Sequence, residues 1–393
     1  MSSAFTFKPM PRLIFGAGRL AELPSLAAPY GNRVLIVVGG RSFVETSAWQ
    51  QLREAFASRK LTLTIEQVTT EPSPEIIDAI VSRQRPQAIQ LVIAIGGGSV
   101  VDSGKAISAM LCEQGSVIDL LEGVGEARPH GRKIPFIAVP TTSGTGSEAT
   151  SNAVISRTGP DGFKRSLRHD GYIANIALID PLLTLSCPRH LTIACGMDAY
   201  TQLVEAYLST QASPLTDCLA VEGIRRLHRS LTRACDDGQD LAARSDMAYA
   251  AYLSGVVLAN AGLGVVHGFA SAIGGLFAIP HGLVCASLMA AANRITLQRL
   301  RQGGGQPIAL AKYATLGRIV SDTTSMTETS CQDAFIAHLD ELTAHLALSP
   351  LPTIGITERD SREIIQRTEN KYNPIPLDGT DLHTILAESK LLR

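Results

Sequence analysis

The sequence has few aromatic residues and no excess of charge of either sign. Aromatic side chains make up 5% of the 393 residues, with a single tryptophan. Lysines and arginines number 35 against 36 aspartates and glutamates, which gives a formal net charge of -1. A chain this close to neutral offers no electrostatic attraction to nucleic acid or to an anionic membrane. We therefore expect a small-molecule partner, and neither nucleic acid nor membrane.

Paired cysteines are also missing. The seven cysteines are odd in number, scattered, and never form a Cys-x-x-Cys pair. This pattern indicates reduced thiols in a cytosol and argues against a disulfide framework or a zinc ribbon. The N-terminus lacks a basic region followed by a long apolar stretch, so no secretory signal is expected and the predicted location is cytoplasmic.

No uninterrupted apolar run is long enough to cross a membrane. Residues 247–293 contain no Asp, Glu, Lys or Arg, but Asn260, His267, Pro280 and His281 interrupt them. A clean span of about 20 apolar residues is therefore not present. The segment instead predicts a buried helical core around something polar.

Apolar runs alternate with helical patterns in the first half of the chain. The runs that predict strands are Arg33–Val38, Leu61–Val68, Leu91–Ile95, Ile134–Val139 and Ile173–Ile179. Such alternation is typical of a doubly wound parallel sheet, and β-rich runs end near Asp180. We predict an α/β dinucleotide-binding domain over residues 1–181 and an all-α metal and substrate domain over residues 182–393.

Two loops that follow predicted strands carry glycines and hydroxyls suited to phosphate. Glycines that end a strand and open a helix let backbone N–H groups approach a pyrophosphate. The second loop adds five hydroxyls for phosphate and ribose oxygens. A tight turn and an ordinary polar loop are the alternatives. The predicted cofactor-binding residues are Gly96, Gly97, Gly98, Ser99, Asp102, Thr141, Thr142, Thr145 and Ser147.

The sequence resembles the iron-containing (group III) alcohol dehydrogenase family over most of its length. The resemblance lies in Gly96-Gly97-Gly98-Ser99-x-x-Asp102-x-x-Lys105, Pro140 through Glu148, Asp180-Pro181, Gly196-Met197-Asp198-Ala199, and His267 through Pro280-His281-Gly282. It implies a dehydroquinate synthase-like fold with the active site between a Rossmann-like domain and a helical metal domain. It also implies a homodimer, and places Asn152 and Lys164 at the nicotinamide end of the cofactor.

The choice between NAD and NADP depends on the turn after the first dinucleotide strand. NAD-preferring members of the family hold the adenosine ribose with an acidic residue there, whereas this chain has Gly39, Gly40, Arg41 and Ser42. Loss of a carboxylate and gain of Arg41 and Ser42 favour a 2′-phosphate. We predict that NADP is tolerated or preferred; the alternative is that Arg41 points into solvent.

Candidate metal ligands lie in the second half. Asp198 and Gln202 are four residues apart on a predicted helix, so both side chains leave the same face. His267 and His281 lie in apolar sequence and need polar partners if buried. Each residue alone could be a helix cap or a satisfied core residue. The resemblance maps these four positions onto a ligand set of one aspartate and three histidines.

This chain departs from the family pattern at two positions. Gln202 stands where the family has a ligand histidine, and an amide oxygen is a weaker ligand than imidazole for Fe²⁺ or Zn²⁺. Ser271 stands where many members keep another histidine near the nicotinamide. We predict one divalent ion, weakly held by Asp198, Gln202, His267 and His281. The predicted catalytic residues are His267, Ser271 and Lys164.

These features predict a metal-dependent, NAD(P)-linked alcohol dehydrogenase or aldehyde reductase. One alternative is a metal-independent enzyme similar to maleylacetate reductase. Gln202 supports this alternative, and the presence of both His267 and His281 argues against it. A lyase resembling dehydroquinate synthase would need a basic cluster for a phosphorylated substrate, which the helical half does not show near the ligand positions. A non-catalytic cofactor-binding subunit is the third alternative.

Overall fold

Eight strands form among the described residues of the first half of the chain. The computed structural model describes residues 4–303, 306–322, 325–346, 356–389 and 391. The strands are β1 Arg12–Phe15, β2 Arg33–Val38, β3 Thr62–Gln67, β4 Leu91–Gly96, β5 Phe136–Pro140, β6 Asn152–Arg157, β7 Phe163–Arg168 and β8 Ile176–Ile179. Six of them pair in the order β1-β8-β5-β4-β2-β3, and every pair is parallel. The five predicted strands are β2, β3, β4, β5 and β8; β2 has the predicted bounds, and the ends of the other four differ by at most three residues.

The central strands are buried on both faces, because helices cover both sides of the sheet. Along β2, Leu35 and Val37 pack in one core cluster while Val34 and Ile36 pack in another. Successive side chains of a strand point to opposite faces, so one apolar run serves two cores. This burial on both faces fixes the carboxyl ends of β4 and β5 side by side, with Gly96 paired to Pro140.

An antiparallel hairpin of β6 and β7 lies outside the main sheet and was not predicted. Its register pairs Asn152 with Arg168 and Ser156 with Lys164. The alternation of polar and apolar residues along it is short and irregular, which hid it in the sequence. The hairpin matters because it carries Asn152 and Lys164 to the same side of the molecule as the loop after β5.

Helices make up most of the remaining described residues. They are α1 Leu23–Ala27, α2 Arg41–Val44, α3 Ser47–Ser58, α4 Pro74–Gln84, α5 Gly98–Met110, α6 Arg189–Leu208, α7 Pro214–Asp236, α8 Leu241–Ala261, α9 Val265–Leu276, α10 His281–Gly303, α11 Pro307–Ser321, α12 Glu328–His345, α13 Glu358–Arg367 and α14 Gly379–Glu388. Among the described residues after Ile179 there is no β-strand. The predicted architecture of an α/β half followed by a helical half is confirmed.

The charge-free segment forms α8, α9 and the start of α10. No single helix in the described part of the chain is long and apolar enough to cross a membrane. Within the described residues, one pair of helices, α8 and α9 taken together, has that length and composition, and the two are bent by 97°. Most side chains of this segment are buried in the helical core.

A close backbone approach joins the two halves. Gly146 follows β5 with φ of 60°, and a Cβ atom there would lie 2.4 Å from the backbone nitrogen of Gly255 in α8. Both residues must be glycine for the loop and the helix to meet. The loop after β5 is thereby held against the helical half of the chain.

Candidate active site between the sheet and the helical half

The two predicted phosphate loops pack against each other at the carboxyl edge of the sheet. A Cβ atom on Gly98 would lie 2.5 Å from Cγ2 of Thr145, and one on Gly97 would lie 3.4 Å from Oγ1 of Thr142. Helix α5 begins at Gly98, so its first N–H groups face the space beyond β4. This arrangement suits a pyrophosphate at the helix N-terminus.

A cavity of about 710 Å³ lies on one side of these loops. Ser42, Phe43, Thr46, Thr141 and Thr142 are among the residues that border it. Its walls are mainly apolar, which suits the flat rings and sugar of an adenosine.

The turn after β2 reaches this cavity only through Ser42. Gly39 and Gly40 lie between β2 and α2 and do not border the cavity. The side chain of Arg41 is 87% exposed, with its Nε 3.7 Å from Oε1 of Glu45. The predicted cofactor residues of this turn are therefore only partly brought together.

A second pocket of about 280 Å³ lies on the other side of the loops, between the two halves of the chain. Gly96 and Gly97 stay at the end of β4, behind the rim. The predicted residues that border the pocket are Gly98, Ser99, Asp102, Thr145, Ser147, Asn152 and Lys164 from the first half, and Asp198, Gln202, His267, Ser271 and His281 from the second. The sheet edge thus opens onto the face that bears the predicted ligands.

A buried lysine ties the floor of this pocket together. Lys105 Nζ donates to the carbonyl oxygens of Ser147 (2.7 Å) and Asn152 (2.6 Å) and to Thr150 Oγ1 (3.0 Å). Asp102 lies 3.7 Å from the same ammonium and accepts a hydrogen bond from the Ser147 hydroxyl. Burial lowers the pKa of Lys105 to about 8. Asp102 and Lys105 therefore hold the loop after β5 in place. The predicted contact of Asp102 with the cofactor would be a second role.

Four donor groups converge in the helical half. They are Asp198 on α6, His267 on α9, and His281 and Cys285 on α10, and their donor atoms all lie within 4.8 Å of one another. Asp198 Oδ1 is 3.3 Å from His267 Nε2 and 3.6 Å from His281 Nε2. A carboxylate, two imidazoles and a thiol fit one divalent transition-metal ion. Three of these groups were predicted, and Cys285 was not.

A buried glutamate orients His267. Glu205 Oε2 lies 2.6 Å from His267 Nδ1, and Glu205 Oε1 accepts a hydrogen bond of 2.7 Å from the backbone N–H of Val266. Neighbouring acidic groups outweigh burial and raise the pKa of His267, so a cation that binds must displace the Nε2 proton. In the neutral ring, donation from Nδ1 to Glu205 directs the Nε2 lone pair at the four donor groups, as in other metal-binding histidines. The sequence held one signal for Glu205: it lies two helical turns after Asp198 and is the only charged residue of α6 after it.

Burial sets the protonation of two members of the donor cluster. Burial lowers the pKa of His281 to about 4, so its imidazole is neutral and able to bind a cation. Burial also raises the pKa of the Cys285 thiol to about 11. The thiol therefore carries its proton until a cation displaces it.

Gln202 and Ser271 border the pocket in different ways. Gln202 is buried, and its Oε1 accepts a hydrogen bond of 2.7 Å from the hydroxyl of Ser254. Ser271 lies one turn after His267 on α9 and is exposed at the rim. The structure leaves the predicted roles of both residues as predictions.

A charged pair forms the opposite wall. Lys164 Nζ lies 3.1 Å from Glu71 Oε2, and Ser156 donates a 3.1 Å hydrogen bond to the same oxygen. Burial opposes ionisation of Glu71, but the neighbouring ammonium of Lys164 outweighs it and lowers the pKa of the carboxyl. Glu71 had no signal in the sequence, because it follows β3 with no motif around it. Asn152 Oδ1 is buried there with no hydrogen-bond partner among the described residues.

Comparison with known proteins covers both halves of the chain. Residues 10–181 match the family described as iron-containing alcohol dehydrogenase, and residues 192–389 match its C-terminal family. The long-chain-alcohol dehydrogenase 1 of Geobacillus thermodenitrificans is 37% identical over 68% of this chain and 67% of its own length. Alcohol dehydrogenase 4 of Saccharomyces cerevisiae is 33% identical over 76% of this chain and 77% of its own.

A solved structure supports the same assignment. The crystal structure of a 1,3-propanediol oxidoreductase superposes with a TM-score of 0.86, covers 98% of this chain and 100% of the other, and is 26% identical. The predicted resemblance is confirmed, and the maleylacetate reductase and dehydroquinate synthase alternatives are not favoured. The chain belongs to the iron-containing alcohol dehydrogenase family, whose members are oxidoreductases that bind NAD(H) and a metal.

Proposed function

We propose that the protein interconverts small alcohols and aldehydes, with NAD(P) as hydride carrier and one divalent metal ion at the substrate oxygen. The observation that carries this proposal is the pocket of about 280 Å³, which is lined both by the phosphate loops and by Asp198, His267 and His281. Hydride transfer needs the nicotinamide and the alcohol carbon in contact, and a shared pocket provides that contact.

The cofactor is proposed to lie across the carboxyl edge of the sheet. Its adenosine occupies the cavity of about 710 Å³, beside Ser42. Its pyrophosphate lies at the start of α5, between the two glycine and hydroxyl loops. Its nicotinamide end reaches Asn152, whose buried Oδ1 is free to accept from a carboxamide, and Lys164. NADP is tolerated or preferred in this proposal, with Arg41 and Ser42 as the residues nearest the 2′-phosphate.

Asp198, His267 and His281 are proposed to hold the metal ion, which is Fe²⁺ or Zn²⁺. The role of Gln202 as the fourth metal ligand remains a prediction. When bound, the ion supplies Lewis-acid polarisation of the substrate oxygen. The chain's own contribution is to orient His267 through Glu205 and to keep the site largely out of water. Ser271, the cofactor ribose and water are the candidate proton carriers, and Lys164 fixes the facing wall.

The remaining features are proposed by analogy with relatives. The named relatives act on a long-chain alcohol and on 1,3-propanediol, and a pocket of this volume suits a short alcohol, diol or aldehyde. A homodimer in the cytoplasm and domains over residues 1–181 and 182–393 complete the proposal.

One spectrophotometric screen tests the function. NAD and NADP are crossed with short alcohols, diols and hydroxy acids, and with the matching aldehydes in reverse, while NAD(P)H absorbance is followed. The same panel is repeated after chelation and after Zn²⁺ or Fe²⁺ is returned. We expect turnover that chelation abolishes and one of the metals restores. Full activity in metal-free enzyme would reject the metal's role, and no turnover on the whole panel would reject the dehydrogenase.

A further inference from the structure

The thiol of Cys285 lies where a metal ligand would lie. Its Sγ is 3.8 Å from Nε2 of His281 and 3.9 Å from Nε2 of His267. Its side chain is completely buried, and the thiol lies within hydrogen-bonding distance of both imidazoles. The thiol therefore faces the same point in space as the two imidazoles.

Four of the six distances between the donor atoms are close to the edges of one tetrahedron, and none of the six exceeds 4.8 Å. With metal–nitrogen and metal–oxygen bonds of about 2.0–2.1 Å and a metal–sulfur bond of about 2.3 Å, the expected edges are about 3.3 Å for N–O and about 3.5 Å for S–N. The observed edges are 3.3 and 3.6 Å to Asp198, and 3.8 and 3.9 Å to Cys285. These four distances need to contract by no more than a few tenths of an ångström for the donors to bind one ion.

Helix α10 supplies two of the four donors from one face. Cys285 follows His281 by four residues, which is about one helical turn. Both side chains therefore reach the ion without any change in the backbone. Gln202 is differently placed, because its amide oxygen already accepts a hydrogen bond from the buried Ser254 hydroxyl. Turning that oxygen to a metal would leave the hydroxyl with the backbone carbonyl of Ala251 as its remaining partner.

We propose that the Cys285 thiolate, and not Gln202, is the fourth ligand of the metal ion, and that the resulting Asp198, His267, His281 and Cys285 centre selects Zn²⁺. The inference rests on the proposed function, in that it takes a metal to bind at this pocket. On binding, the thiol releases its proton to solvent and the metal–sulfur bond replaces the S–H bond. Thiolate is a soft ligand that favours zinc, whereas a set of one carboxylate and three imidazoles has no such preference.

The charge of the centre also follows from the ligand set. A carboxylate and a thiolate together neutralise a divalent cation, whereas a carboxylate with neutral ligands leaves one positive charge. A neutral centre withdraws less charge from a substrate oxygen than a positive one. This chain should therefore hold its metal more tightly and polarise its substrate less than a relative with three histidines.

Cobalt substitution tests the proposal by a readout other than turnover. Protein stripped of metal is loaded with Co²⁺, and the near-ultraviolet spectrum is examined for a thiolate-to-cobalt charge-transfer band. The band should appear at one cobalt per chain in the wild type and disappear in Cys285→Ser. Competition with a chromogenic chelator should show that Cys285→Ser weakens zinc binding by about 100-fold. Loss of a residue that only supports a metal ligand already lowers metal affinity by about 10–100-fold, and loss of a ligand should reach at least the upper end of that range.

Two matched variants separate ligation from other effects. Gln202→Leu removes the competing amide, and Cys331→Ala removes another buried thiol, on α12 and outside the donor cluster. Both should keep the band. A band that survives Cys285→Ser, or that is absent from wild-type protein holding one cobalt, overturns the proposal while turnover with NAD(P) still supports the dehydrogenase. A protein that binds no metal overturns both the Cys285 ligand and the metal-dependent function.

Discussion

The two halves of the chain contribute different kinds of chemical group to the site. The sheet half offers main-chain N–H groups, glycines and small hydroxyls at the ends of β4 and β5. The helical half offers single ionisable side chains from three helices, held within 4.8 Å of one another. The first kind of site spreads its binding energy over many weak contacts, whereas the second depends on each ligand.

This difference predicts how substitutions should act. A ligand change should abolish chemistry and leave the cofactor bound. A change in a loop should weaken the cofactor and leave the metal in place. The two halves should therefore fail separately.

The largest effect is expected from His267→Ala. The substitution removes a ligand and leaves the Glu205 carboxylate buried without its imidazole partner. Loss of the Lewis acid should lower kcat by at least about 10³-fold, while NAD(P)H binding followed by fluorescence should remain within a few-fold of wild type. Equal loss of turnover and of cofactor binding would contradict the separation of the two halves.

A smaller effect, of the opposite kind, is expected from Gly98→Ala. The new Cβ atom would lie 2.5 Å from Cγ2 of Thr145, so the two loops must move apart. Overpacking of this size costs about 1–3 kcal/mol, which predicts a rise of roughly tenfold or more in the KM for the cofactor. Metal content, measured by elemental analysis, should not change. The control is Gly379→Ala, where a Cβ atom meets open space.

The same contrast explains what could be predicted from the sequence. Strands β2, β4 and β5 are buried on both faces, so their apolar runs stand out, and the glycine loops follow directly in the chain. Asp198, His267 and His281 were found through their resemblance to a family pattern. Their partners were not: Glu205 and Cys285 acquire meaning only when α6, α9 and α10 pack together.

Cys285 shows why the other residues of the site could not be predicted from the sequence. Scattered cysteines indicate reduced thiols, and nothing in the spacing of seven single cysteines marks one of them as a ligand. The helical period does place Cys285 on the face of His281, but that face is defined only by the neighbouring helices. The hairpin of β6 and β7 and the Glu71 wall were missed for a similar reason, since their contacts are distant in sequence.

The buried Glu148, in the loop after β5, should make the stability of the sheet half depend on pH. Burial raises the pKa of Glu148 from its ordinary value of 4.5 to about 7. Since the folded form holds its proton more tightly, the stability from this group is full below pH 4.5 and is lost as the pH rises to about 7. Glu148→Gln should therefore become more stable than wild type by an amount that grows to about 3 kcal/mol across this range.

Thermal melts of wild type and variant from acid to neutral pH measure that difference. Titrating groups remote from Glu148 are common to both proteins and cancel in it, and the neighbouring Lys105, with a pKa of about 8, titrates above this range. The exposed Glu54→Gln should show no such trend. A constant difference between wild type and Glu148→Gln at every pH would show that the Glu148 carboxyl has the same pKa in the folded and the unfolded protein, and would contradict the prediction.

The smallest effect is expected at the far end of the cofactor, from Arg41→Ala. The Arg41 side chain is 87% exposed and its partner Glu45 is 3.7 Å away, so the pair is weak and the guanidinium is free to turn toward a 2′-phosphate. An exposed charge-assisted contact predicts a fall of about tenfold in kcat/KM with NADP and no change with NAD. Glu45→Ala is the matched control, because it frees Arg41 without removing it and should leave the NADP rate equal or slightly higher. If the preference between the two cofactors is the same in Arg41→Ala as in wild type, the guanidinium stays in solvent, and the cavity beside Ser42 must distinguish the two nucleotides by other contacts.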